Sequence, residues 1–239
     1  MPNPKAFHPL LLCLALLTGA AWPVAAQHSG QEQEQSVKPG INESWKSDEI
    51  DPLIDRLEAE DREIYSHRSA LASLVGPPPG SVVADVGAGS GFMAEELAVL
   101  VGREGKVIAL DINPTMMEHV SRQAREKGLT NLTARVSGER QVSLDPESVD
   151  IVFISDTYHH FEYPHSMMES IHQALKPGGQ VIVVDFDRIE GQSPDWVLQH
   201  VRAGRDVFTR EIEEAGFQLI GVHDVSFLEQ NYVLRFLKK

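Results

Sequence analysis

The sequence predicts an α/β fold in which a parallel sheet carries helices on both faces. Two observations support this prediction. Apolar, β-branched runs alternate with helical segments from residue 82 onward, and the first run enters a helix through a glycine-rich turn. Alternating strands and helices form crossover units, which keep the strands parallel and place the helices on the two faces. We therefore expect one domain of this class at 81–239.

The predicted elements have clear boundaries. In the helix at 114–127, for example, Asn113 can cap the first turn, Pro114 suits the first position and Gly128 follows the end. The other predicted helices are 92–100, 164–175 and 206–215. The predicted strands are 82–86, 107–110, 132–136, 151–155, 181–186, 217–225 and 231–237.

Three segments precede the predicted domain. Residues 1–26 combine Lys5, an apolar stretch and small residues at the end, which is typical of a cleaved secretory signal peptide. The apolar stretch is short for a membrane span, and an uncleaved anchor stays open as the alternative. Residues 27–46 are polar and rich in Gln and Glu, which predicts a disordered leader, and helical spacing predicts an N-terminal helical cap at 47–80. We expect an exported protein, periplasmic or secreted, without stable membrane insertion after cleavage.

The chain is acidic. Its formal net charge is −14 at pH 7, and the sequence contains no run of Lys or Arg that would form a basic patch. A surface of this charge repels the phosphates of nucleic acids. We therefore expect no nucleic-acid partner and a small molecule as the substrate.

A glycine-rich turn follows the first predicted strand, with Asp85 two residues before Gly87 and further glycines at Gly89 and Gly91. Glycines crowd a strand-to-helix turn when a ligand has to approach the backbone closely. The helix that follows directs free N–H groups at that ligand. A triphosphate-binding loop would require Lys near the end of the turn, and a dinucleotide fingerprint would require its last glycine at Phe92. The sequence meets neither condition.

Asp111 ends the second predicted strand, where an acid can bind both hydroxyls of a ribose. The carboxylate of Asp85 can accept hydrogen bonds from an ammonium group, which a pyrophosphate lacks. A ribose and an ammonium group without a phosphate describe S-adenosylmethionine, so we expect this cofactor. A nicotinamide cofactor stays open as the alternative, because motif matches include false positives.

Two later segments complete an ordered set of motifs. Residues 150–156 are an apolar run that ends in Asp156, and residues 175–185 contain a Lys-Pro-Gly-Gly turn that leads into another apolar run. Together with the glycine turn and Asp111, they resemble the motifs of class I S-adenosylmethionine-dependent methyltransferases, from residue 82 to the C-terminus. The resemblance implies a Rossmann-like, doubly wound sheet of seven strands, mostly parallel with an antiparallel C-terminal strand. It also implies cofactor contacts from Asp85, Gly87, Ala88, Gly89, Gly91, Asp111, Ile112, Glu139 and Asp156.

For Glu139, a position in a solvated loop is an equally good interpretation. The segment after the fourth predicted strand contains Asp156, His159 and His160. In the family this region lies close to the reacting methyl group, and an imidazole can act as a general base near physiological pH. His159 or His160 is therefore a candidate catalytic base, which Asp156 could orient. The alternative is that one histidine packs and the other caps the following helix.

We predict no metal site. A site formed by Asp156, His159 and His160 is the less favoured alternative, because adjacent ring side chains rarely face one ion and the sequence shows no second carboxylate cluster. The resemblance implies transfer of a methyl group from S-adenosylmethionine to a small-molecule acceptor. The predicted export favours a second hypothesis, an exported protein that binds S-adenosylmethionine or S-adenosylhomocysteine without transferring a methyl group, because the cofactor is made in the cytoplasm. The intact motifs favour the enzyme.

Overall fold

The computed structural model describes Met1, residues 34–223 and residues 225–239. Apart from Met1, the predicted signal peptide lies outside the described residues, and so do residues 27–33 of the predicted leader. No helix in the described part combines the length and the apolar character that a membrane crossing requires.

A single sheet of seven strands forms the centre of the domain. The strands are β1 Val82–Val86, β2 Lys106–Asp111, β3 Leu132–Val136, β4 Val149–Ser155, β5 Leu175–Phe186, β6 Phe217–His223 and β7 Asn231–Lys238. Their order across the sheet is β3-β2-β1-β4-β5-β7-β6, so the order reverses between β1 and β4. The pairs from β3 to β5 are parallel, and β7 runs antiparallel to both of its neighbours. This topology confirms the predicted fold.

Eight α-helices surround the sheet in the described part of the chain. They are α1 Asp51–Leu57, α2 Glu63–Ser66, α3 Arg68–Val75, α4 Phe92–Val101, α5 Pro114–Glu126, α6 Pro164–Ala174, α7 Asp195–His200 and α8 Arg205–Glu214. Short 3₁₀ turns occupy Glu43–Lys46 and Tyr158–His160. The sequence prediction did not include α7, and it joined α1, α2 and α3 into fewer helices.

Side chains of β1 alternate between two apolar cores, as a strand period of two requires. Val83 packs in the core formed with α3, α4 and α5. Ala84 and Val86 pack in the opposite core, formed with α6, α7 and α8. The helices therefore cover both faces, as predicted, and the sheet leaves its carboxyl edge free for a site.

The strand β5 begins at Leu175, six residues before its predicted start at 181. Its pairing with β4 shifts register between Val149 and Ile151, so an irregularity carries the strand through the predicted turn. Gly179 makes this possible, because a Cβ there would lie 2.8 Å from Leu175 Cδ2 and 3.1 Å from the Asp150 carbonyl oxygen. The Pro-Gly-Gly signal thus marks a close backbone approach as well as a turn.

Residues 34–46 of the predicted leader make specific contacts with the domain. The carboxylate of Glu34 accepts hydrogen bonds from the backbone N–H groups of His165 and Ser166, both at 2.9 Å, at the beginning of α6. Asn42 Nδ2 donates to the His160 carbonyl at 3.1 Å. This segment is therefore held by polar groups that cap a helix or bind a loop carbonyl. Contacts of this kind do not require regularly spaced apolar residues, so the sequence pattern does not reveal them.

Candidate functional site

A cavity opens at the carboxyl ends of β1 and β4, where the strand order reverses. Ligands of doubly wound sheets bind at this kind of crevice. Its lining is concave and combines apolar and polar groups, as small-molecule sites do. Eight of the nine predicted cofactor residues line it: Asp85, Gly87, Ala88, Gly89, Asp111, Ile112, Glu139 and Asp156. Gly91 does not line the cavity but ends the turn as the N-cap residue of α4.

Asp85 presents a buried carboxylate whose Oδ2 has no hydrogen-bond partner within the described residues. Burial raises the pKa of Asp85 to about 7, and the nearby charge of Asp111 acts in the same direction. The Ala94 backbone N–H opposes the shift but does not cancel it, and a buried carboxylate oxygen without a partner costs stability. A cationic ligand in the cavity would supply the missing partner.

The backbone of the glycine turn is fixed by neighbours on both sides. The N–H groups of Gly87 and Ala88 donate to the Leu110 carbonyl oxygen at 2.7 and 3.0 Å. Gly87 has a φ of +74°, and a Cβ at this position would lie 2.1 Å from Thr157 Cγ2. Only glycine satisfies both the conformation and the contact, so the turn presses against the segment that follows β4.

Asp111 receives two backbone hydrogen bonds that orient its carboxylate. Oδ2 accepts from the Gly89 N–H and Oδ1 from the Asn113 N–H, each at 3.0 Å. Burial raises the pKa of Asp111, and these backbone N–H groups oppose that change. Each carboxylate oxygen keeps a second lone pair, so both remain able to accept from the hydroxyls of a ribose.

Glu139 lies at the opposite wall and forms an ion pair with Lys46, with 3.0 Å between Nζ and Oε1. Ile112 also lines the cavity, together with Trp45 and Leu57 from the N-terminal segments. Sequence reasoning missed Trp45 and Leu57. They belong to segments whose path over the cavity depends on long-range polar contacts, such as the Asn113 amide that donates to the Trp45 carbonyl at 2.8 Å.

Asp156 adopts the left-handed backbone conformation, with a φ of +47°, and strain of this kind concentrates at functional sites. Its carboxylate accepts from Arg62 Nη2 at 2.7 Å and from Asn231 Nδ2. Burial raises the pKa of Asp156, and the Arg62 guanidinium opposes this shift. The residue therefore joins three separate parts of the chain at the wall of the cavity.

The residue that orients His159 is Asp185, not Asp156 as the sequence suggested. Asp185 Oδ1 lies 2.7 Å from His159 Nδ1, and Oδ2 accepts from the His159 backbone N–H at 3.1 Å. Both side chains are buried. Asp185 lies near the carboxyl end of β5, next to β4 in the sheet, so strand order was the signal that could have found it.

His160 lies against His200, with 3.3 Å between the two Nε2 atoms. Burial lowers the pKa of His160 to about 2 and that of His200 to about 4, and the neighbouring His159 adds to both shifts. Both imidazoles are therefore neutral at physiological pH. Such a low pKa makes His160 a weak proton acceptor, and the role of His159 or His160 as a base stays a prediction.

A second cavity adjoins the first, with an empty volume of about 1160 Å³. His160, Arg62, Asp156, Trp45 and Leu57 line both cavities. The remaining wall of the second cavity includes apolar ring surfaces and imidazoles, contributed by Phe186, Trp196, His159 and His200. The site thus consists of a narrow compartment at the glycine turn and a wider one at the histidines.

Comparison with known proteins shows which proteins this chain resembles. Residues 84–183 match the family model of the methyltransferase domain. The match to this domain indicates S-adenosylmethionine as the cofactor, and the fold is that of a solved SAM-dependent methyltransferase.

Among curated relatives, the ubiquinone/menaquinone biosynthesis C-methyltransferase UbiE from Hydrogenovibrio crunogenus is 29% identical over 117 residues, or 48% of this chain and 46% of that protein. UbiE from Shewanella baltica is 29% identical over 114 residues, or 47% and 45% of the two chains. The chain thus spans about half the length of the curated relatives it matches.

Solved structures with the same fold include a SAM-dependent methyltransferase from Aquifex aeolicus. It superposes with a TM-score of 0.69 at 24% identity and covers 78% of this chain and 97% of its own. The [4+2]-cyclase SpnF superposes equally well, with a TM-score of 0.69 at 16% identity, and covers 86% and 96% of the two chains. At these identities the likeness concerns the fold.

The residues present fit the indicated cofactor. The unpartnered Oδ2 of Asp85 faces a cavity where an ammonium group would satisfy it, and Asp111 retains acceptor capacity for two hydroxyls. The close contact between Gly87 and Thr157 leaves no room for a side chain in the turn. The backbone of the turn and the two carboxylates therefore suit a nucleoside with a cationic amino-acid tail.

Proposed function

We propose that the protein is an S-adenosylmethionine-dependent methyltransferase that acts on a small molecule. The observation that carries the proposal is the pair of carboxylates, Asp85 and Asp111, on the two sides of the glycine turn in one cavity. Asp85 would hold the ammonium group of the cofactor and Asp111 its ribose hydroxyls. The comparisons support methyl transfer, and we infer the small-molecule acceptor from the adjoining cavity.

When bound, S-adenosylmethionine supplies a methyl group on a sulfonium, which an in-line nucleophile can displace. The contribution of the protein to such a reaction is mainly positioning. The glycine turn fixes the backbone, Asp111 is oriented by two backbone N–H groups, and Asp156 braces the wall between the cavities through Arg62 and Asn231. Trp45 and Leu57 cover both cavities and would exclude water from them.

The wider cavity is the proposed acceptor compartment, because it shares a wall with the cofactor cavity. Phe186 and Trp196 pack edge to face with 4.9 Å between ring centroids and provide an apolar surface. The cavity suits a small, partly apolar acceptor. The net charge of −14 argues against a polynucleotide in the same place.

We also propose that the protein is exported to the periplasm or secreted, on the evidence of residues 1–26. N-terminal sequencing of protein recovered from outside the cytoplasm should begin at Gln27. Recovery of an intact N-terminus in the membrane fraction would instead support the uncleaved anchor.

The test of the proposed function is a calorimetric titration of the full chain with S-adenosylmethionine, S-adenosylhomocysteine and NAD, followed by a search for methyl transfer to a panel of small acceptors. We expect both adenosyl compounds to bind and NAD to give no heat. Binding of NAD alone would overturn the assignment. Binding of both adenosyl compounds without transfer to any acceptor would favour the alternative, a binding protein without transferase activity, to which the relatives reported above give no support.

A further inference from the structure

We propose that His159, His160 and His200 form a binding site for one divalent transition-metal ion of the Zn²⁺ type, with an open position toward the wider cavity. The proposal goes beyond methyl transfer, because it places a metal ion at the wall of the proposed acceptor compartment. It reverses the prediction from sequence, which weighed a site from Asp156, His159 and His160 and expected no metal.

The distances between the three imidazoles are those of a nearly formed metal site. Two nitrogens bound to one tetrahedral Zn²⁺ at about 2.0–2.1 Å lie about 3.3 Å apart. The Nε2 atoms of His160 and His200 already lie 3.3 Å apart. One ligand atom from each of the three residues lies within 4.8 Å of the others, so the third nitrogen has to approach by roughly 1.5 Å at most, which rotation of a side chain can supply.

A buried carboxylate orients the first of these ligands. Asp185 occupies Nδ1 of His159 at 2.7 Å, which leaves Nε2 as the nitrogen available to the cluster. Metal-binding histidines almost always engage their second ring nitrogen with a carboxylate or a carbonyl in this way, and the contact fixes the tautomer. Asp185 is fully buried and also accepts from the His159 backbone, so this orientation is built into the fold.

The helix end that contributes His200 is also held in place. Lys38 donates to the carbonyl oxygens of Gln199 and His200 at the end of α7. Arg188 donates to the carbonyl oxygens of Leu198 and Val201, each at 3.0 Å. Lys38 and Arg188 thus fix four backbone carbonyls at the end of α7. These contacts keep His200 beside the 3₁₀ turn that contains the other two histidines.

The donor set decides the class of metal. Three imidazole ligands suit Zn²⁺, Co²⁺, Ni²⁺ and Cu²⁺, whereas Mg²⁺ and Ca²⁺ require oxygen ligands. Three protein ligands leave a fourth position open, as in catalytic zinc sites. All three histidines line the wider cavity, and His160 also lines the cofactor cavity. On the proposed function, the open position would bind an anionic oxygen or sulfur atom of the acceptor.

The test is a titration of the untagged full chain, stripped with a chelator, with Zn²⁺ by calorimetry and with Co²⁺ by visible absorption. We expect one ion per chain and a Co²⁺ spectrum typical of a four-coordinate site with three nitrogen ligands. Azide, which would bind at the fourth position, should change that spectrum. His200→Gln should weaken Zn²⁺ binding more than about 100-fold, and Asp185→Asn, which removes only the orienting carboxylate, by about 10–100-fold. None of these readouts depends on methyl transfer, so the metal site and the proposed function can fail separately.

The exposed His165 provides the matched control, since it lies on α6 in the same domain. His165→Gln should bind Zn²⁺ like the unmodified chain. Equal loss in His165→Gln and His200→Gln would show adventitious surface binding and overturn the proposal. Absence of a stoichiometric ion would do the same and would leave the His160–His200 contact as a simple hydrogen bond. Thermal unfolding without metal should be similar for the unmodified chain, His200→Gln and His165→Gln, which separates ligand loss from misfolding.

Discussion

The cofactor compartment and the histidine compartment differ in how far apart their residues lie in the chain. Gly89 and Asp111, which meet at the glycine turn, are 22 residues apart and belong to one strand-helix-strand unit. His160 and His200 are 40 residues apart and come from a loop and a helix that other segments hold in place. The first compartment is therefore a local structure with a sequence signature, whereas the second exists only after the whole domain has folded.

The difference extends to electrostatics. In the cofactor compartment, Oδ2 of the buried Asp85 has no hydrogen-bond partner within the described residues and can accept from a ligand. In the histidine compartment, the carboxylate of Asp185 is fully engaged by His159. Asp85 therefore keeps an unpaired carboxylate oxygen for a ligand, whereas the carboxylate of Asp185 orients the imidazole of His159. Substitutions in the two compartments should therefore affect ligand binding and stability in different proportions.

The largest expected effect is on stability and comes from Gly87→Ala. The new Cβ would meet Thr157 at 2.1 Å in a backbone with a φ of +74°. Left-handed strain and overpacking together should lower the free energy of unfolding by about 2–5 kcal/mol, as measured by urea denaturation.

Gly128→Ala is the matched control for this prediction, since Gly128 has a φ of +68° and no atom within 4 Å of the added Cβ. It should show the strain alone, about 1–2 kcal/mol. Thr157→Ala should recover part of the loss in Gly87→Ala and none in Gly128→Ala. Equal costs for the two glycine variants would mean that the turn does not press against Thr157.

Asp111→Ala should have the next largest effect, on cofactor affinity. Removal of the carboxylate leaves the ribose hydroxyls without acceptors and frees the N–H groups of Gly89 and Asn113. We expect a loss of about 1–3 kcal/mol in the binding free energy of S-adenosylhomocysteine, measured by calorimetry. The exposed Asp145 gives a control of equal charge, and an affinity loss shared by Asp145→Ala would assign the effect to net charge.

The smallest expected effect concerns the segment at 34–46. Glu34→Ala removes the carboxylate that accepts from the first turn of α6 and should cost about 1 kcal/mol in unfolding free energy. Glu34→Gln, which keeps an acceptor without the charge, should lose roughly half of that. Unchanged stability in both variants would indicate that this segment does not cap α6 in solution.

The sequence predicted the parts of the molecule that local patterns determine. The glycine turn, Asp111 and the alternation of strands and helices each depend on neighbours within one crossover unit, and the structure confirms the fold they predict. The contribution of Asp185 depends on β5 lying next to β4, and that of His200 on the position of α7, which was not predicted.

Polar long-range contacts account for the other differences. The segment at 34–46 lacks apolar periodicity, yet Glu34 and Asn42 satisfy backbone groups 118 or more residues away. Arg62 and Asn231 meet at Asp156 from opposite ends of the domain. Single side-chain contacts of this kind have no periodic signature, so only the folded chain reveals them.

The central claim is that Asp85 receives the cationic tail of S-adenosylmethionine, and the pH dependence of affinity tests it most directly. A carboxyl whose pKa is about 7 in the unliganded fold is mostly protonated at pH 6 and mostly ionised at pH 8. Burial of this carboxyl also lowers the stability of the unliganded protein as the pH rises from about 4 to about 7, because the unfolded chain ionises more readily.

Calorimetry should therefore show affinity for S-adenosylmethionine that is about fivefold lower at pH 6 than at pH 7, below the pH at which the α-amino group of the ligand loses its proton. Asp85→Asn should bind weakly throughout, should lose this dependence on pH and should unfold at a higher denaturant concentration than the unmodified protein at pH 8. Affinity that is independent of pH in the unmodified chain, or unchanged in Asp85→Asn, would contradict the account.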